Sequence, residues 1–187
     1  MDIEFIGDDK VKILMKEYLE ESIVAFGEDL GKKVNAPAKG DLFTIDEEPE
    51  DLDGEKSEIF HHIVSKLLFV SKRARPDIEL AISFSCTRVF KSKVQDWEKL
   101  RRLLSYLQCT LDMPIIIGAN GFEFLQTYVD ASYATHPDMK GYTGGAMKLG
   151  NVIVHNKCFK QKFNTKISTG TEVVGSSDYI GYTLFMK

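Results

Sequence analysis

Closely spaced cysteines are missing from this chain. Cys86, Cys109 and Cys158 are odd in number and far apart, which excludes the paired thiolates of a zinc site and the disulfide framework of a small secreted fold, and points to a reducing compartment. No apolar run approaches the roughly 20 residues that span a bilayer. The opening residues Met1-Asp2-Ile3-Glu4 are acidic where a signal peptide is basic. The expectation is therefore an intracellular protein, cytoplasmic or nuclear, with no membrane partner. Excess positive charge is missing too. With 24 Lys and Arg against 28 Asp and Glu, the net charge of -4 argues against a nucleic-acid binder driven by bulk charge alone.

What is present is ordinary globular composition, 43% hydrophobic and 28% charged over 187 residues, enough for one large domain or two small ones. The charge is unevenly spread. Residues 41 to 55 hold eight acids and no base, while Lys66 to Arg102 hold ten bases and few acids.

The N-terminal residues read as two short strands, Ile3 to Ile6 and Lys10 to Leu14, joined by a Gly7-Asp8-Asp9 turn. Met15, Tyr18, Leu19, Ser22, Ile23 and Phe26 then recur at helical spacing until Gly27. The acidic run from Asp41 to Glu55 reads as a solvated linker that cannot bury enough apolar surface to order itself. Between 58 and 108 three helices are predicted. Phe60, Ile63, Val64, Leu67 and Leu68 mark the first, and Pro76 opens the second. Asp96 serves as N-cap of the third, which turns Leu100, Leu103, Leu104 and Leu107 inward and Lys99 and Arg102 outward. Beyond Pro114 the pattern becomes strands, at Ile115 to Ile117, Phe122 to Val129, Ala146 to Leu149 and Val152 to His155. A last helix carries Glu172 in its first turn, although Gly175 and Gly181 weaken it.

Two acids stand out. The alternating run Phe122 to Val129 delivers Asp130 at its end, and Glu172 enters a helix; two such carboxylates can hold a divalent ion. Taken alone, Asp130 is more often a turn former at a strand end. Lys72, Arg73 and Arg75 read equally as a solvated helix end or as contacts to backbone phosphate. Trp97 reads as core, and His61 and His62 as polar residues opening a helix.

Five blocks in order carry a resemblance. They are Phe60 to Ile78; Trp97, Arg102, Tyr106-Leu107 and Thr110; Tyr128-Val129-Asp130-Ala131-Ser132; His136-Pro137-Asp138 with Gly141-Tyr142-Thr143-Gly144-Gly145; and Lys160 to Lys166 with Ser168 to Gly175. Together they resemble the polyprotein of copia-type LTR retrotransposons, from the polymerase segment after its catalytic aspartates into the ribonuclease H domain. The resemblance implies an α+β protein. Residues 1–40 would be the end of the reverse transcriptase palm and the start of its thumb, 41–57 an acidic linker, 58–113 a helical thumb and connection region, and 114–187 the first part of a ribonuclease H-like mixed sheet with one helix.

By the same resemblance Asp130 and Glu172 match two of the carboxylates that hold Mg2+ or Mn2+ for two-metal cleavage of RNA in an RNA/DNA hybrid. Gly170 replaces an acid that many members carry before Glu172. His136 would correspond to a histidine near the site in some ribonucleases H. The third carboxylate belongs to a fourth strand expected after Lys187, and the polymerase aspartates to residues before Met1, so little hydrolysis is expected from these residues alone. Lys72, Arg73, Arg75, Lys99 and Arg102 would grip the duplex backbone. Further expected partners are the rest of the polyprotein, or a second copy joined through an open edge of the strand ending in Asp130. A non-catalytic binding or interaction module is the alternative.

Overall fold

A computed structural model describes every residue except Asp8, Glu47, Pro49, 119–122, Pro137 and Lys187. The chain forms two compact units, Met1–Phe5 with Lys12–Ile115, and Ile6–Val11 with Ile116–Lys187. The α+β class is the one predicted. Among the described residues no helix is long and apolar enough to cross a membrane, and no disulfide joins Cys86, Cys109 or Cys158.

Strands β1 (Asp2–Ile6) and β2 (Lys10–Leu14) are followed by helix α1 (Lys16–Phe26), which buries Leu19, Ser22 and Phe26. Gly27 ends α1 in the left-handed region at φ 71°, where its N–H reaches the Val24 carbonyl; a side chain there would strain the backbone. Helix α2 (Gly54–Arg73) buries Phe60, Ile63, Val64, Leu67 and Val70 on one stripe. A 3-10 turn at Pro76–Ile78 leads into helix α3 (Glu79–Cys86), and helix α4 (Val94–Cys109) follows. Their apolar faces make one core. Within it Phe26 stacks on Trp97 at 4.3 Å between ring centroids, and burying each Leu or Phe side chain fully stabilises the fold by about 1.5–3 kcal/mol. Strand β3 (Ile115–Gly118) completes a sheet of order β1-β2-β3.

In the second unit β4 (Leu125–Ser132), β5 (Tyr142–Leu149) and β6 (Val152–Lys160) form an antiparallel sheet in that order, and helix α5 (Ser168–Met186) packs on it. The register runs from Leu125↔Leu149 to Ser132↔Tyr142. An added Cβ at Gly175 would stand 3.0 Å from the Cβ of Ala131, and one at Gly145 would stand 2.1 Å from the Tyr179 ring. Both glycines are therefore places where helix and sheet close on each other.

Several local expectations need correction. The strand that carries Asp130 does not end there: ladder pairing with β5 continues to Ser132, so Asp130 is an interior strand residue. The predicted start of that strand at Phe122 lies outside the described residues. Strands β5 and β6 are longer than predicted: β5 takes in Gly144 and Gly145, which sit inside the ladder, and β6 runs on to Lys160. Helix α5 begins at Ser168 with no acid in its first turn, which places Glu172 just beyond it. Lys93, not Asp96, caps α4; Asp96 closes the cap from the third helical position by accepting the Lys93 N–H at 3.0 Å.

The acidic segment is the largest departure. Instead of a free linker it lies along α4. Leu42 is buried, and Phe43 sets its ring edge-on to Phe84 at 5.4 Å. Backbone bonds run from Val94 N–H to the Glu50 carbonyl at 3.1 Å and from Leu52 N–H to the Ser92 carbonyl at 3.3 Å. Asp51 pairs with Lys93. The physical reason is that a few apolar anchors and a basic helix face supply what the segment's own composition lacks.

Candidate nucleic-acid interface and carboxylate pair

The five basic candidates lie in the helical unit, and their surroundings differ. Arg75 is 1% exposed. Its guanidinium donates to both oxygens of Asp77, at 2.9 and 2.8 Å, and to the carbonyl and hydroxyl of Thr110 at 3.0 and 2.8 Å. Tyr106 adds its hydroxyl to Asp77 at 2.8 Å. Burial pushes the Asp77 carboxyl up, but the Arg75 and Tyr106 bonds outweigh it and hold the pKa below its ordinary value. The expectation that Arg75 meets phosphate is corrected: with its fork closed inside the protein it ties the turn after α2 to the end of α4.

Lys72 and Arg73, at the C-terminal end of α2, are exposed. Lys72 pairs with the buried Glu79, and Arg73 lies 5.1 Å from the Phe69 ring and pairs with no carboxylate among the described residues. The other two candidates, on α4, are half-buried rather than turned out to solvent. Lys99 donates to the Thr44 carbonyl at 2.6 Å and stands 4.9 Å from the Phe84 ring. Burial lowers its pKa, with Asp96 and Asp41 acting in the opposite direction. Arg102 makes no hydrogen bond or ion pair with a described residue, and its buried Nε has no acceptor.

The carboxylates lie in the sheet unit. Asp130 is exposed, and its Oδ1 accepts the Ala131 N–H at 2.9 Å. Strand alternation decides its direction. Ala131 meets Gly175 of α5, and Thr127 bonds to Thr183 of α5 at 3.3 Å, so the odd-numbered residues of β4 face the helix and Asp130 faces away from it. Glu172 is half-buried and makes no hydrogen bond or ion pair with a described residue. Strand and helix are adjacent, yet the two carboxylates do not converge. Among the described residues no group of three or more His, Cys, Asp or Glu is placed to hold a metal ion. Two oxygen ligands on different faces, without a third, do not fit a two-ion cage, which needs several converging hard donors.

His136 is held in the β4–β5 connection, its Nδ1 3.0 Å from Asp138 Oδ1, while Lys160 pairs with the same carboxylate at 2.6 Å. Gln161 was not singled out by sequence. It is 1% exposed and donates to Thr143 Oγ1 at 2.9 Å and to the Thr171 carbonyl at 3.0 Å, which pins the start of α5, and hence Glu172, to the sheet. A polar residue just past a strand carries no periodic signal that would reveal this. Gln95 was missed likewise: its Oε1 accepts the Asp46 N–H at 3.2 Å, and its Nε2 is buried without a partner among the described residues.

Over 114 residues, 60% of its length, the chain is 28% identical to an uncharacterized mitochondrial protein of Arabidopsis thaliana. The match takes in 47% of that protein, so the chain spans about half the length of its relative. No family model matches the chain, and no solved structure matches it significantly.

Proposed function

We propose that these residues are a piece of a copia-type retrotransposon polyprotein in which the helical unit holds an RNA/DNA hybrid by its phosphate backbone, and the sheet unit carries the opening part of a ribonuclease H fold without a working hydrolytic centre. The observation that carries this reading is the close crossing of α5 over β4 at Gly175 and Ala131, which sets the strand of Asp130 beside the helix of Glu172. That is the pairing of first strand and first helix that the motif order implies. Hydrolysis is set aside on geometry: Asp130 faces away from α5, and no third ligand stands with the pair among the described residues.

Holding a backbone needs cations that water can reach, and in the folded chain Lys72 and Arg73 meet that condition at one helix end. Two phosphate contacts would give a binding constant that falls with salt at a log–log slope of about -2. The test is a labelled hybrid titrated with the chain at several salt concentrations. Salt-sensitive binding, weakened by Arg73→Ala and insensitive to base sequence, supports the reading; salt-independent binding, or none, refutes it.

A second reading rests on a different observation. In the order β4-β5-β6 the strand β4 is an edge, and Tyr128 on it is 57% exposed. An edge with free backbone donors and acceptors invites a further strand, from the polyprotein or from a second copy. Sedimentation as a concentration-independent monomer would contradict it.

A further inference from the structure

A cavity of about 710 Å³ in the helical unit lies between the acidic segment and α4. Gln95, Lys99 and Arg102 line it from the helix, and Asp41, Asp46, Glu48 and Glu50 from the segment. The segment is attached by its backbone and its apolar side chains. Thr44 offers its carbonyl to Lys99, Asp46 its N–H to Gln95, and Glu50 its carbonyl to Val94, while Leu42 is buried. Of its acids Asp51 joins this attachment by pairing with Lys93, whereas Asp41, Asp46, Glu48 and Glu50 are exposed and their carboxylates make no hydrogen bond or ion pair with a described residue. Opposite them, the buried Nε of Arg102 and Nε2 of Gln95 have no acceptor among the described residues. Negative charge thus stands across from a basic face on which Lys99 is bonded to a backbone carbonyl and the Arg102 Nε is left without an acceptor among the described residues.

We propose that the acidic residues Asp41, Asp46, Glu48 and Glu50 are a built-in competitor for nucleic-acid phosphate, set against the Lys99 and Arg102 face of α4 and displaced when a phosphodiester backbone binds there. This rests on the reading that the helical unit holds such a backbone. A carboxylate row held near cations without direct bonds lowers the local potential but is only weakly attached, because exposed charges attract little through water. Phosphate oxygens could supply the acceptors that Arg102 and Gln95 lack, and a buried donor without an acceptor favours whichever group satisfies it. The segment therefore sets a threshold, leaving Lys72 and Arg73 as the first contacts and adding Lys99 and Arg102 only after displacement.

The experiment compares the parent chain with a variant carrying Asp41→Asn, Asp46→Asn, Glu48→Gln and Glu50→Gln. A control of equal charge change carries Asp2→Asn, Glu17→Gln, Glu20→Gln and Glu58→Gln, all exposed and remote from the cavity lining. Circular dichroism verifies that each variant is folded. With a labelled RNA/DNA hybrid, the segment variant should bind roughly tenfold tighter at low salt, and its salt slope should steepen by about two, one contact each for Lys99 and Arg102. Adding Lys99→Ala and Arg102→Ala should return the slope to the parent value, while the control changes affinity far less. Equal gains from segment variant and control, or no gain in either, overturn the inference while a salt-sensitive parent leaves the hybrid-holding reading standing. No salt-sensitive binding by any variant overturns both.

Discussion

Arg75→Ala separates a structural arginine from a nucleic-acid contact. The substitution removes the fork that joins Asp77 and Thr110 and leaves the Asp77 carboxylate, with 28% of its side-chain surface exposed, supported by the Tyr106 hydroxyl and its own backbone N–H. Breaking a fully buried pair by removing one partner costs about 3–5 kcal/mol. Partial exposure of Asp77 lets water recover some of this, so about 3 kcal/mol is expected, a large share of the about 5–15 kcal/mol that stabilises a typical domain. The sole tryptophan, Trp97, is buried against Phe26 in the same unit, so its fluorescence in a urea titration reports the change. Replacing Arg75 and Asp77 together should recover part of the loss, because no orphaned charge remains. Arg75→Lys should stay well below the parent, since a single ammonium cannot close the same fork. A stability within about 0.5 kcal/mol of the parent, the range of ordinary surface substitutions, together with weakened hybrid binding by Arg75→Ala, would refute the reasoning and restore Arg75 to the binding surface.

Acid should destabilise the helical unit partly through Glu28. Hydrogen bonds from Lys56, Trp97 and Arg101 hold its pKa down, from 4.5 to about 2. A folded-state pKa below the unfolded value contributes stability that is present above about pH 4.5 and lost as pH falls toward 2, on the order of 1 kcal/mol after solvent screening. Urea midpoints measured across that window should decline less for Glu28→Gln than for the parent. Gly145→Ala drives a Cβ into the Tyr179 ring at 2.1 Å and should cost about 2–3 kcal/mol through overpacking, seen as earlier thermal loss of the sheet unit by circular dichroism. Asp96→Ala removes both the N-terminal bond to Lys93 and the pair with Arg88; about 2 kcal/mol is expected from the lost cap and the stranded arginine, again by urea titration.

The helical part was legible because its apolar residues repeat at helical spacing with little competition, as in Phe60, Ile63, Val64 and Leu67. Other features depend on partners far along the chain. Arg75 sits in a basic run that looks solvated, and only Thr110, 35 residues away, makes it an interior residue. Leu42 and Phe43 are too few to signal burial in an acidic stretch, yet they find Phe84 and the face of α4. A strand expected to start at Ala146 leaves out Gly144 and Gly145, yet both sit in the β5 ladder, where the Tyr179 ring occupies the space beside Gly145. The candidate carboxylates could be named from motif order. Their directions could not, since one extra pair of ladder residues past Asp130 and the side of β4 that α5 covers decide whether two acids converge.

The claim that these residues hold a hybrid without cutting it is tested most directly by incubating the chain with a hybrid labelled on the RNA strand, in magnesium or manganese, beside the Asp130→Asn variant. The prediction is a retained complex with an intact RNA strand, the same for both proteins. Cleavage of the RNA by the parent that Asp130→Asn abolishes would contradict it, and would mean that Asp130 and Glu172 come together around metal after all.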